Sequence, residues 1–413
     1  MELTSEFPHQ DIKEFNMARL WTTGAELNSL ALEMGYLTPT GNAATSNTVA
    51  RTGTYSIKMF PTAAPAAAAA FTKSVLASKS YLTLYARFYI YITTNPSAQI
   101  SIYVTSDGTA AVGAKLYLNT DGSLTLKDGS NNVIGSSAII PLSEWHLIEV
   151  KHQAISGVNN DVMELKLDGS SVCSTTTAAG AANGVSVIQF GSGANTINTV
   201  YYLDDIGIND NTGSFQNAWL GPGKVIYLRP NVAGDTNGWL KSDGSAGDAN
   251  NYQAVDEITP DDGTTYNKSN TLGAEDLYKF TPSGISESDT INMVGVMVRF
   301  QETATQAAYF KMEIEEKASG TKEQSAEIQS LTVGVWVVNS PSNVPRAPTI
   351  LLYDLPGVST APWTQRYLDT LQAGAIITAA KTEAVQISTI WVIVDYTPAA
   401  ITSGYRSLLS VGK

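Results

Sequence analysis

The chain of 413 residues is long enough for two or three domains. Its 25 Lys and Arg against 38 Asp and Glu leave a formal net charge of −13, and only 15% of residues are charged. Without a basic cluster that balance excludes the electrostatic attraction behind nucleic-acid and anionic-membrane binding, while 43% hydrophobic residues exclude a disordered chain.

Taken in chain order, the first segment, MELTSEFPHQDIKEF, carries acidic residues and lacks the apolar run of a secretory signal. No stretch approaches the roughly 18 to 20 apolar residues of a membrane span. Synthesis in a cytoplasm without membrane insertion is therefore expected. Residues 1–17 read as an arm, with a short helix over 11–20 in which Ile12, Phe15 and Leu20 recur at helical spacing. Strict alternation follows. Leu82, Leu84, Ala86, Phe88, Ile90 and Ile92 form one face of a long strand, and Tyr85, Arg87, Tyr89 and Tyr91 lie on the other. Ile100, Ile102 and Val104 repeat the pattern against Ser101, Tyr103 and Thr105. Asp-Gly pairs at 107–108, 121–122, 128–129 and 168–169 then supply turn chemistry between strands over 115–118, 124–127, 145–152 and 162–167. Such short spacing leaves no room for helical crossovers and predicts an antiparallel sandwich, closing at residues 200–208.

Residues 209–217 read as a polar linker. Beyond it, strands are expected over 224–229, 291–300, 310–316, 331–338, 349–353 and 388–396, with 293–300 and 390–394 apolar on both faces and therefore central. Phe310, Met312 and Ile314 alternate with Lys311, Glu313 and Glu315, which predicts one solvated face carrying Glu313, Glu315 and Glu316. The polar segment 242–271 is expected as a mobile surface loop, and 362–373, opening on Pro362, as a short helix.

Several motifs stand in a recognisable order: TTGAELN at 22–28, RTGTYSIK at 51–58, SEWHLIEVK at 143–151, LKLDG at 165–169, YLDDIGI at 202–208, NAWLGPGKV at 217–225 and WVIVDY at 391–396. In that order the chain resembles tailed-bacteriophage virion structural proteins with a laminin-G/concanavalin-like jelly-roll domain. The resemblance implies an all-β chain with little helix: an N-terminal arm (1–17), a lectin-like jelly-roll sandwich (18–208), a linker (209–217), a second β-sandwich-like domain (218–400) and a tail (401–413). It also implies a virion location, on the head or the tail, but no activity, because this fold hosts lectins, glycosidases and structural modules alike.

The chemistry-bearing residues are sparse. The single Cys173 can form neither an intrachain disulfide nor a Cys-based zinc site, and no basic neighbour activates its thiol. His146 and His152 share one strand but stand about 20 Å apart, too far for one site, and His9 lies in the arm. No pair of carboxylates matches the spacing of a retaining glycosidase, since Glu144, Glu149 and Glu164 are isolated. Gly221-Pro-Gly223 precedes a strand and reads as a turn, not a phosphate loop. Jelly rolls of the lectin type carry calcium on rim loops, which singles out Asp204, Asp205, Asp261 and Asp262 as candidate oxygen ligands, although Asp204 and Asp205 should point to opposite faces of their strand. Tyr85, Tyr89, Tyr91 and Tyr103 are candidates for stacking on a glycan, on the expectation that they share a face of two adjacent strands. The expected function is a non-enzymatic component of a tailed-phage particle, a capsid decoration or tail-associated protein, that docks on the virion and displays its lectin-like domain. A glycan-binding adsorption protein and a polysaccharide depolymerase are the alternatives. Its expected partners are copies of itself, other virion proteins and host-surface glycan.

Overall fold

The computed structural model describes residues 18–34, 40–63, 66–76, 80–109, 111–157, 159–180, 183–192, 197–303, 308–316, 320–328, 333–338, 350–352 and 362–399. The expected arm and tail lie outside these residues. Of the helix expected over 11–20, the described part differs: residues 19 and 20 open the strand Arg19–Thr23.

The period-2 pattern builds a two-sheet jelly roll. In the strand Thr83–Thr94, the side chains of Leu84, Ala86, Phe88, Ile90 and Ile92 are fully buried. They face a second sheet, because a strand with one apolar face must cover that face. The first sheet runs Ser170–Ala178, Asp161–Leu167, Trp145–Gln153, Thr83–Thr94, Val200–Asn209, Ser56–Met59, Ala43–Ser46, with Arg19–Thr23 also paired to Val200–Asn209. The facing sheet runs Val133–Ile139, Ser123–Lys127, Val112–Leu118, Ile100–Ser106, Val187–Ser192, Ala69–Ser74, Thr40–Gly41. Between them Phe190 packs its ring on Phe88 at 5.3 Å and on Phe71 at 5.1 Å, geometries typical of aromatic pairs. Three of the four Asp-Gly pairs turn on a positive φ at glycine, at Gly108, Gly122 and Gly169. The fourth does not. There Asn131 takes the left-handed conformation, and the Asp128 carboxylate holds the backbone N–H groups of Ser130 and Asn132 at 2.9 and 2.8 Å.

Residues after Pro222 form a second sandwich. One sheet combines Lys224–Leu228, Leu240–Lys241, Asn267–Ser269, Val385–Thr397, Thr290–Glu302, Val337–Val338 and Ile350–Leu352. The other runs Pro230–Asn237, Glu275–Phe280, Gln372–Ala379, Tyr309–Glu316, Thr321–Gln324. Thr290–Glu302 and Val385–Thr397 pair along nearly their whole length and are buried on both faces, as their two-sided apolar pattern predicts. Val294, Val296, Val298, Val392 and Val394 line the sandwich core, while Met293, Met297, Trp391 and Ile393 meet Val225 and the first domain's Leu27.

Three expectations about this half change. Glu313, Glu315 and Glu316 are buried rather than solvated. The backbone at 234–235 folds over that sheet, with Asp235 N–H donating to Gln372 Oε1 at 2.7 Å, and on the adjacent edge strand Lys322 reaches Glu275 and Gln324 donates to Glu313. The segment 242–271 is anchored: Asn251 and Asn267, both fully buried, bond to Asp276 Oδ2 and Tyr278 Oη at 2.8 and 2.9 Å. The carboxy-terminal helix is only Gln365–Leu368, capped by Thr364, because Gln372 already begins a strand. No helix among the described residues is long and apolar enough to cross a membrane.

Candidate functional site

Most of the expected site residues fall on the outer face of the first sheet, and the second domain packs on the part of that face around Arg87, Tyr89 and Asp205. Arg19 and Arg87, whose side chains have no exposure, converge on Asp395 of the second domain. Arg19 Nη1 donates to Asp395 Oδ2 at 2.5 Å, and Arg87 donates through Nη2 to Oδ2 at 2.9 Å and through Nη1 to Oδ1 at 3.2 Å. Burial by itself would raise the Asp395 carboxyl, but the two guanidinium groups outweigh it and hold the carboxyl below its ordinary range.

Asp205 is the first domain's contribution to the same junction. Its Oδ1 accepts Val225 N–H at 2.6 Å, and its Oδ2 accepts Thr52 Oγ1 at 2.9 Å and the Arg51 guanidinium. Arg51 in turn lies 3.3 Å above the centre of the Tyr89 ring and donates to Gly223 O at 2.8 Å. Asp204 accepts the backbone N–H of Arg51 at 2.8 Å, of Asp205 at 2.7 Å and of Thr52 at 3.3 Å. Burial, and then Asp205, push its pKa well up. The two carboxylates therefore serve the same 51–52 segment instead of opposite faces. The cause is a bulge: the register shifts between Asp204 and Gly207, and Asp205 sits at φ 48°.

Calcium takes six to eight oxygen ligands, and the four candidate aspartates are committed elsewhere. Asp262 forks onto Arg299 with two bonds of 2.6 Å, and Asp261 accepts Thr265 N–H at 3.0 Å. Among the described residues no group of three or more His, Cys, Asp or Glu is placed to hold a metal. The tyrosines also separate. Tyr85 meets the Trp219 ring at 5.4 Å, with Lys166 Nζ 3.9 Å from that indole. Tyr91 lies between Trp145 at 5.4 Å and Tyr202 at 6.2 Å. Tyr89 is under Arg51 at the junction. Tyr103 is in the core, because its strand belongs to the facing sheet and a register shift next to it turns both Ile102 and Tyr103 inward. The expected four-tyrosine face does not exist.

His9 lies outside the described residues, and His152 has a structural place. His152 Nδ1 contacts Thr105 Oγ1 at 2.7 Å and its Nε2 contacts Asp161 Oδ2 at 2.8 Å, an order of groups like that of a hydrolase triad. All three are buried, and Thr105 Oγ1 already accepts Ala114 N–H at 2.9 Å, so the chain ties one sheet to the other.

The outer face of the second sheet of the jelly roll offers a different surface. Lys115 and Lys127 stand directly opposite each other, as do Tyr117 and Thr125 on one side and Tyr117 and Ser101 on the other. Tyr117, Lys115, Lys127, Ser101 and Gln189 are half-buried and Gln99 is exposed. Lys127 Nζ lies 4.5 Å from the Tyr117 ring centre and donates to Gln99 Oε1 at 2.6 Å, and Gln99 Nε2 donates to Asn119 Oδ1 at 2.5 Å. Lys115 Nζ donates to Gly129 O at 3.0 Å and Asn131 Oδ1 at 2.8 Å. These contacts all stay within this sheet and its rim turns. None of the sheet's seven strands contains Asp or Glu, in a chain with 38 of them. The sequence reading passed over these residues. Their signal is a run of acid-free strands, visible only once pairing shows which strands share a sheet.

No family model and no curated protein matches the sequence. Among solved structures, the chain is similar to an endo-β-1,4-glucuronan lyase from the fungus Trichoderma reesei, at 13% identity and TM-score 0.32 over 41% of this chain and 87% of that one. It is similar to the cellulose-induced protein Cip1 at 14% identity and TM-score 0.33, over 44% and 88% of the two chains, and to the alginate lyase Aly36B at 9% identity and TM-score 0.31, over 45% and 90%. The likeness is one of fold. It corrects one expectation, that the chain is not an enzyme: sandwiches of this kind are named here as lyases, and that exclusion is withdrawn.

Proposed function

We propose that the chain is a tailed-phage virion protein that docks on the particle and displays the open sheet of its jelly roll to host-surface polysaccharide. The observation that carries the reading is the outer face around Tyr117, where an aromatic ring, two lysines and the amide of Gln99 stand together on one sheet, while on the opposite side of the jelly roll the second domain packs around Arg87 and Asp205. An aromatic ring with polar groups beside it suits a pyranose, whose C–H face stacks while its hydroxyls bond. The particle setting is supported by the ordered motifs and by the low charge of the chain.

An array of bacterial surface polysaccharides tests the recognition. The wild-type chain is expected to bind a subset of them, Tyr117→Ala to lose that binding by about tenfold or more, and Tyr91→Ala, on the other face, to retain it. A flat array sinks the glycan reading. Release of new chain ends from a bound polymer makes the same face that of a depolymerase, and failure to co-sediment with particles removes the virion setting.

A further inference from the structure

We infer that the ligand of this face is an anionic polysaccharide, one bearing carboxylate or sulfate groups; the inference rests on the polysaccharide reading above. Like charges placed directly opposite each other across two strands destabilise a sheet, and Lys115 and Lys127 are such a pair. Their hydrogen-bond partners are neutral: a backbone carbonyl and Asn131 for Lys115, Gln99 and the Tyr117 ring for Lys127. Asp128 is the nearest acidic group with an effect on Lys115. Its oxygens are already taken by the N–H groups of Ser130, Asn132 and Ala179 and by the Asn132 side-chain amide. The other acidic residues at the rim, Asp107 and Asp121, likewise turn their carboxylates onto their own turns, at Thr109 and Ala111 and at Ser123. Two ammonium groups thus share an acid-free sheet without a salt bridge to any described residue, on a chain whose net charge is −13. The ring of Tyr117, beside this pair and 4.5 Å from Lys127 Nζ, supplies a stacking surface for the sugar that carries the charge. This is charge complementarity toward an anionic chain, on a sheet whose own strands carry no acidic residue.

The test is binding of the full chain to polygalacturonate, alginate, hyaluronate and chondroitin sulfate, beside the carboxyl-reduced form of each uronate polymer and neutral dextran. Binding to at least one charged polymer is expected, lost on carboxyl reduction, and weakened when salt is raised from about 50 to about 300 mM. Lys115→Gln with Lys127→Gln is expected to weaken it about tenfold, while Lys115→Arg with Lys127→Arg, which keeps both charges, retains it and shows that the sheet is intact. Retention on the sulfated polymer alone assigns the anion as sulfate, and loss on carboxyl reduction assigns it as carboxylate. Equal affinity for neutral and charged polymers, with Tyr117 still required, overturns the inference and leaves polysaccharide recognition standing. Binding to none of the polymers overturns both.

Discussion

Asp395 shows how much one residue of the second domain decides about the first. It is fully buried, it accepts three bonds from two arginines of the other sandwich, and its carboxyl is held below the usual range by them. Removing one partner of such a buried group leaves uncompensated charge, a loss of about 3–5 kcal/mol. Asp395→Ala is therefore expected to lower the stability of the junction by that amount. Urea unfolding would show it as an early transition, with the two sandwiches separating in small-angle scattering, and an unchanged single transition would contradict it. Little of this was legible beforehand. Arg87 and Asp395 are 308 positions apart in the chain, and no local pattern ties the one to the other. By contrast, the half-buried, unreactive character of Cys173 follows from its sequence setting, and its thiol is indeed pushed up by burial.

At the scale of elements, the alternating pattern of Thr83–Thr94 translates directly into one core face and one outer face, and the two-sided apolar runs of Thr290–Glu302 and Val385–Thr397 translate into central strands. Bulges are where this translation stops. At Asp205 and beside Tyr103 an extra residue reverses the face on which the next side chain stands, and no local pattern announces it. Close packing of strand on strand adds a constraint of the same kind. A Cβ on Gly113 would stand 2.2 Å from His152 Cε1 and 2.7 Å from Thr105 Oγ1, so the sheets approach there only because the residue has no side chain. Gly113→Ala is expected to cost about 1–3 kcal/mol through overpacking. Gly263→Ala, with nothing within 4 Å, is the near-neutral control in the same thermal melt.

For the molecule as a whole, the raised carboxyls fix a pH dependence. Burial, the largest cause in each case, pushes Glu26, Glu257 and Glu313 up to about 7 from an ordinary value of 4.5. Each binds its proton more tightly folded than unfolded, so its contribution to stability is complete below about pH 4.5 and is lost as pH rises to about 7. Asp395 acts in the opposite sense, its contribution being present above its unfolded value and lost as pH falls through the depressed folded one. Thermal melting is therefore expected to be highest near about pH 5 and lower at about pH 7.5, with Glu313→Gln flattening that fall. A melting temperature that climbs steadily over the same interval would contradict the assignment.

Sequence by itself determined the all-β class, the core faces of the longest strands, the central strands of the second sandwich and the charge-poor, net acidic character of the chain, because alternation and composition are local and each strand carries them alone. Only the tertiary structure decided which strands share a sheet, and with that where the functional surface lies. The tyrosines that looked like a platform were split among a core, a covered junction and two separate pairs. Seven strands dispersed between residues 40 and 192 meanwhile came together as the acid-free face around Tyr117. Pairing between distant strands depends on contacts made across the whole chain, and those contacts select one face for a partner domain and leave the other open.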